Sequence, residues 1–216
     1  MCLHHTHTLR TYQWVSEGVG LSPSKKEQTA TTTRALLAVA VEMFADRGYG
    51  AVGLDDVARQ SGLTRGAVYH HFGSKAGLFD AVVEQVQREV AERVGHAAAA
   101  AGNLWDALVV GCHEFVRAGS DRRVHRIMLI DAPAVLGWQR WRELDAANSG
   151  RLLQEVLDEL QAEGTIAPGL AEPAAHLLSG AMNEAVLWVA QSEVPGRDRE
   201  SALATLDHLL GSLRQR

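Results

Sequence analysis

The chain has 216 residues, with 21 lysines and arginines against 26 aspartates and glutamates, a net charge of −5 and 46% hydrophobic residues. This composition describes a folded globular chain with room for a sizeable core, and no apolar run approaches the length of a membrane span. The acidity is uneven, +1 over residues 1–80 and −6 over the remainder, so the net charge does not exclude a nucleic-acid partner for the first part.

Residues 1–29 hold no sustained period, and Gly18, Gly20, Pro23 and Ser24 interrupt any helix that begins there. The segment lacks an apolar core long enough for a secretory signal and reads as a flexible tail. His4, His5 and His7 with Cys2 are metal-ligating types, but no scaffold fixes them, and the tail is assigned no metal. Translation starting nearer Val19 is an expectation that the intact mass of the native protein tests. Cys2 and Cys112 are the two cysteines, without metal-type or disulfide-type spacing, which fits a reducing, cytoplasmic setting.

A first helix is expected from Thr31 to Arg47, with Leu36, Val39, Ala40, Met43 and Phe44 on one buried face and Gly48 as its stop. A short second helix follows, in which Leu54, Val57 and Ala58 form an apolar stripe and Asp55 and Asp56 suit the positive end of the helix dipole. Gly62 supplies the positive φ of a tight turn, and Thr64 stands as N-cap to a third helix, Arg65 to Phe72. In that helix Val68 and Phe72 face inward, leaving Thr64, Arg65, Ala67, Tyr69 and His70 outside. So short a helix is not stable alone, and its exposed face points to a contact partner. In a helix-turn-helix that partner is the major groove of DNA.

The matching pieces are Met43-Phe44, Gly48-Tyr49, Leu54 to Ala58, Gly62 to Phe72 and Ser74 to Phe79. In order and without gaps, they resemble the DNA-binding domain of the TetR (tetracycline-repressor-like) family of bacterial transcription regulators. The resemblance implies DNA contacts from Thr33, Gly53, Thr64, Arg65, Gly66, Ala67, Tyr69, His70 and Lys75. Arg65 can grip guanine bidentately or hold a phosphate, and Lys75, behind the cap Ser74, resembles the family's phosphate-contacting lysine. Gly66 and Ala67 are small and let the helix backbone approach the groove. Local positive charge comes from Lys25, Lys26, Arg34, Arg65 and Lys75, with Lys25 and Lys26 suited to a basic arm on phosphate. At 52–53 the family commonly has Thr or Ser, which caps the second helix and meets phosphate. Val52-Gly53 stands here instead, which bears on affinity and not on fold.

Further helices are expected from Ser74 to Val94, from Asn103 to Arg117 and from Asp121 to Ile130. A break at Asp131-Ala132-Pro133 and a weak point at Gly137 follow. Then come a long helix from Gln139 to Ala162, one opened by Glu172-Pro173 that ends near Val194, and a last one from Arg197 to Leu213. No stretch alternates as an amphipathic strand does. The expected fold is all-α, about nine helices: a helix-turn-helix DNA-binding domain over 30–77 and a larger ligand-binding and dimerisation domain over 78–216.

The last two helices carry wide apolar faces, including Leu177, Ala181 and Trp188, then Leu203, Leu206 and Leu210, and a two-fold interface would cover them. The resemblance implies the same homodimer, which would set two recognition helices about 34 Å or somewhat more apart. Candidate ligand-contacting residues are Trp105, Cys112, His113, Phe115, Met128, Trp138, Trp141 and Asn183, aromatics with a few polar groups as in small-molecule sites of helical bundles, and equally as in an ordinary core. His113 and Asn183 are polar groups on apolar helix faces that need a partner, whether ligand, water or neighbouring helix. Leu129 to Trp138 also resembles a recurring segment of one TetR C-terminal subgroup.

The expected function is a ligand-responsive transcriptional regulator: a dimeric repressor on a palindromic operator in double-stranded DNA, released by a small apolar or amphipathic effector. The rival is a ligand- or partner-binding module with a weakened DNA face. No nucleophile elbow, phosphate loop, zinc motif or cofactor fingerprint occurs, and no enzymatic role is assigned.

Overall fold

In the computed structural model the backbone is described for residues 25–215 and the side chains for 31–215. The proposals on the 1–24 segment, its histidines and Cys2, and on the side chains of Lys25 and Lys26, lie outside these residues. The described residues are helical throughout, apart from turns and one isolated backbone bridge between Ile166 and Arg214.

The first helix, α1 (Lys25–Ala51), buries Leu36, Ala40, Met43 and Phe44. Gly48, at φ +76, breaks it where a stop was expected, yet the chain resumes a further turn. Only glycine suits that site, since φ is positive and any Cβ would collide with the Arg126 guanidinium. Tyr49 folds back so that its ring centroid lies 5.0 Å from that of Phe79 and 5.9 Å from that of Phe44.

The next two helices, α2 (Leu54–Gln60) and α3 (Arg65–Phe72), are joined by a turn with Gly62 at φ +69. In that turn Leu63 N–H donates to Ala58 O at 2.9 Å. Val57 and Val68 are fully buried and pin the pair to α1 and α4 (Lys75–Ala99). That helix is the spine of the molecule. Leu78, Phe79, Val82, Val83, Val86 and Val90 are buried along it, each worth about 1.5–3 kcal/mol relative to exposure. It runs five residues past the expected end at Val94, because Gly95 and the alanines beyond it pack without a break.

The larger domain wraps α4 with α5 (Leu104–Gly119), α6 (Arg122–His125), α7 (Ala132–Leu136), α8 (Trp138–Ala147), α9 (Ser149–Ala162), α10 (Ala171–Ala190) and α11 (Pro195–Leu213). Asn103 caps α5 through Asp106 N–H at 2.9 Å, and Asp121 caps α6 through Arg123 N–H at 2.8 Å. Between α6 and α7 runs a π-helical segment, Arg126–Asp131.

The expected break at Asp131-Ala132-Pro133 does not form, and the chain stays helical from Arg122 to Leu136. In the wide register Ala132 N–H reaches Ile127 O, five residues back. The next donor in that register would come from Pro133, which has none. The carbonyl left over, Met128 O, accepts from Trp141 Nε1 at 2.8 Å. The rod ends instead at Gly137, φ +81. The long helix expected over 139–162 is divided at Asn148 into α8 and α9. The proline-initiated helix opens two residues early, at Ala171, which puts Pro173 in the first turn, where its missing N–H costs no bond. With the α6–α7 run and the α8–α9 pair each taken as one rod, the described residues form nine helical rods.

Candidate nucleic-acid interface and interior cavity

The hydroxyl of Thr64 accepts from Ala67 N–H at 3.2 Å and opens α3. Ser74 does the same for α4 through Gly77 N–H at 3.0 Å. Arg65 lies against Asp55 in the first turn of α2, Nη1 to Oδ2 at 3.3 Å. Lys75 Nζ lies 3.5 Å from Gly50 O and 4.2 Å from the centroid of the Tyr49 ring. The first contact ties the N-terminal end of α3 to that of α2, and the second seats the start of α4 on the last turn of α1, just ahead of α2, a side of the head where free N–H groups and positive dipole ends favour phosphate.

On that side Arg65, Gly66 and His70 are exposed, Ala67 is half-buried, and Tyr69 leaves 58% of its surface open. A Cβ added at Gly66 would meet only the Thr64 hydroxyl, at 3.9 Å, so packing does not demand a glycine there. Gly53 caps α2 with its backbone alone, its carbonyl accepting from Asp56 and Val57 N–H at 3.2 Å each. Thr33 stands apart from this group. It lines a groove between α1 and α4 with Gln85, Arg88 and Glu92, at least ten residues beyond Lys75 along α4.

The larger domain holds a cavity of about 180 Å³ between α4, α5, α9 and α10. Its wall is apolar except for Asp145, Ser149 and Ser179. Asp145 is buried and its carboxyl is pushed upward from the ordinary range by loss of water, a shift only partly offset by Arg142 and Ser179. Arg142 Nη1 donates to Asp145 Oδ2 at 2.9 Å, and Ser179 Oγ donates to the same oxygen at 3.2 Å.

Of the expected ligand residues, Cys112 and Phe115 line this cavity. The others are placed elsewhere. His113 is bonded to Asp207 of α11 at 2.6 Å, so its partner is the neighbouring helix. Trp141 holds Met128 O, and both residues are buried in the core. Trp105 lies under the Arg214 guanidinium at 5.2 Å, and Trp138 is 67% exposed. Asn183 is buried off the cavity wall, with an Oδ1 that no described residue meets, and Gln87 on α4 is buried with neither amide atom bonded.

Asp145, Ser179 and Gln87 were missed by sequence reasoning. The first two carried a signal: Asp145 shares the stripe of Trp141 and Leu144, and Ser179 that of Ala175 and Met182, so each is a polar residue on an apolar face. Among the described residues no three His, Cys, Asp or Glu side chains are grouped to hold a metal ion, and no helix is long and apolar enough to cross a membrane.

The expected interface residues divide. Leu177, at 74% exposure, and Trp188, at 48%, are open, and Ala181 is half-buried. Leu203, Leu206 and Leu210 are instead buried in the chain's own core, which corrects the reading that a partner is needed to cover them. The reason is helical phase. These three form one stripe of α11 facing its own domain, and the stripe one residue behind, Ala202, Thr205 and Leu209, lines an outer groove with Ala181, Ala185 and Trp188.

A helix-turn-helix head with an exposed recognition face, set on an all-helical body that holds a cavity, defines a DNA-binding regulator. Residues 36–82 match the model of the bacterial regulatory proteins of the tetR family, and residues 105–213 match the tetracyclin repressor-like C-terminal domain. The chain belongs to the TetR family of transcriptional regulators. It is similar to the crystal structure of a TetR-family transcriptional regulator from Pectobacterium atrosepticum, with 33% identity, 88% of this chain and 97% of that one covered, and a TM-score of 0.74. It also resembles the transcriptional activator FasR of Mycolicibacterium smegmatis, 36% identical over 88 residues, which cover 41% of this chain and 32% of FasR. The transcriptional repressor KstR2 of the same organism is 39% identical over 69 residues, 32% of each chain. The chain thus spans about a third of the length of these two relatives.

Proposed function

We propose that this protein is a cytoplasmic, dimeric repressor that occupies a palindromic operator in double-stranded DNA and leaves it when a small apolar or amphipathic effector binds the larger domain. The observation that carries this reading is the face of α3. Arg65, Tyr69 and His70 are exposed on a helix anchored by the fully buried Val68, with Lys75 at the adjoining helix start. Arg65 is assigned to a base edge or phosphate, Thr64 and the Gly53 N–H to phosphate, Tyr69 and His70 to the backbone or a base edge, and Lys75 to phosphate.

A two-fold pairing through the outer stripes of α10 and α11, with Leu177, Trp188 and Leu209, would present two such faces. The effector would act through α4, which lines the cavity at Val94 and Ala98 and carries Lys75 at its other end. An effector that favours the DNA-incompetent state by about 3 kcal/mol shifts the equilibrium more than a hundredfold.

The test is fluorescence anisotropy with DNA from immediately upstream of the gene, against scrambled DNA of equal length at several salt concentrations. Preference for the upstream DNA by about a hundredfold or more is expected. Equal, weak binding to both would favour a module with a weakened DNA face, to which the bare Gly53 cap also points. A reporter fused to the same region separates repression from activation.

A further inference from the structure

The cavity's size, wall and few polar groups together restrict what it can hold. We infer that its ligand is a neutral, single-ring aromatic molecule with one hydrogen-bond donor, a phenol in the simplest case, whose donor bonds Asp145 Oδ1. This rests on the ligand-responsive reading above and narrows it.

Size comes first. A volume of about 180 Å³ is close to the roughly 150 Å³ at which an apolar protein cavity accepts benzene, so one ring with a small substituent fills it. Phe115 and the sulfur-bearing Cys112 and Met182 stand in the wall, and aromatic edges and soft sulfur atoms favour a ring over a saturated group.

The polar groups decide the charge. Asp145 Oδ2 receives both Arg142 and Ser179, while Oδ1 has no hydrogen-bond partner among the described residues. An unpaired carboxylate oxygen on a residue of the cavity wall is an acceptor that a ligand O–H can fill. An anionic ligand would meet the carboxylate itself with little water between them. A cationic one would stand beside the Arg142 guanidinium, which already neutralises the acid. A neutral donor avoids both costs.

Asp145, Gly150 and Ser179 also border a second groove between α8–α9 and α10, lined in part by Arg151, Gln154 and His176. The Arg142–Asp145–Ser179 cluster therefore stands between the groove and the apolar chamber, beside the Asn148 division of the rod.

The experiment is isothermal titration of the full-length, DNA-free protein with p-cresol, toluene, benzylamine and benzoate. The expected result is saturable binding of p-cresol, with toluene about tenfold weaker for want of the donor, and no binding of the two ions. Ala107→Leu, which fills the chamber from α5, should abolish p-cresol binding while the thermal transition persists. Should that variant fail to fold, Gly111→Ala serves, since its added Cβ would lie 3.6 Å from Val94 and fit without a clash.

Toluene binding as tightly as p-cresol, preference for either ion, or p-cresol binding unaltered by the chamber-filling change each overturns the assignment. Absence of p-cresol binding in a protein that still selects its operator overturns the ligand class alone. Binding of p-cresol without release of the operator keeps the ligand class and removes the effector mechanism.

Discussion

The backbone N–H of Tyr49 donates to Asp131 Oδ2 at 2.9 Å, across 82 positions of sequence. Beside it, Arg126 Nη1 donates to Asp46 O at 3.2 Å. Both donors and acceptors of this strap link the last turns of α1 to the π-helical segment of the larger domain. The Tyr49 ring carries Lys75 on one side, so a single residue touches the lysine assigned to phosphate and the domain assigned to the effector. Asp131→Ala should cost about 1–2 kcal/mol, a typical loss for a part-buried charge-assisted bond, and Asp131→Asn much less. Hydrogen exchange reads the strap directly: the Tyr49 amide should lose protection in Asp131→Ala, and unchanged exchange there would remove the strap from the account.

Arg65 and Asp55 form a pair in which both side chains are largely exposed, 70% and 65%. Such pairs are worth about 0–1 kcal/mol, so Arg65→Ala should leave the thermal midpoint nearly unmoved and abolish operator selection. Asp55→Asn frees the arginine and removes a negative charge from the face, and should tighten DNA binding, most visibly at low salt. Operator affinity unaltered by Arg65→Ala would take that residue out of the interface.

The two small residues of the face predict opposite signs. Gly66→Ala should stabilise α3 by about 0.5–1 kcal/mol, because the added methyl meets no obstacle, and should weaken DNA binding if the backbone approaches the groove closely. Gly53→Ser adds a capping hydroxyl at a φ of −100 that any residue accepts, together with a new phosphate contact; its Cβ would stand 3.2 Å from Asp56 Oδ2, so the gain of a few tenths of a kcal/mol requires that carboxylate to give way. Denaturant midpoints and operator titrations of the same two variants separate stability from recognition.

Asp145 gives the pH signature. Burial raises its carboxyl above the unfolded value, so its contribution to stability is fully present below the unfolded pKa and is lost as pH rises through the folded one. Asp145→Asn should therefore equal or exceed the parent in stability at neutral pH, and the difference should shrink as pH falls below the raised value. Denaturation at pH 4 and pH 7 checks this, and a deficit of the variant that grows toward neutrality would contradict it.

Cys112 is pushed up to about 12, first by burial and then by Asp207. In a Cys2→Ser background the folded protein should resist a thiol reagent such as DTNB at pH 8 and react once unfolded. Rapid labelling of folded protein would place the thiol on an open path to solvent.

The head was legible in the sequence because its determinants are local. Thr64, Ser74, Asn103 and Asp121 each cap the helix expected of them, and Gly62 turns where a turn was expected. Errors arose where a distant group settles a local choice. Pro133 reads as a break until Trp141, eight residues on, satisfies the stranded carbonyl. The apolar residues of α11 read as one face until α5 and α10 claim Leu203, Leu206 and Leu210 and leave Leu209 outside. The cavity was least legible, since Gly111, Ala98 and Ala107 in its wall carry no chemistry of their own and define the space by being small.

The wide turn between Arg126 and Asp131 behaves as a vernier on the strap. Relative to an uninterrupted α-helix it holds one surplus residue, which offsets whatever follows by about 100°. Removing a single residue from its middle would leave Arg126 seated on α1 and swing Asp131 away from Tyr49. The larger domain would then keep α1 through Arg126 and Arg123 but lose its hold on the Tyr49 amide.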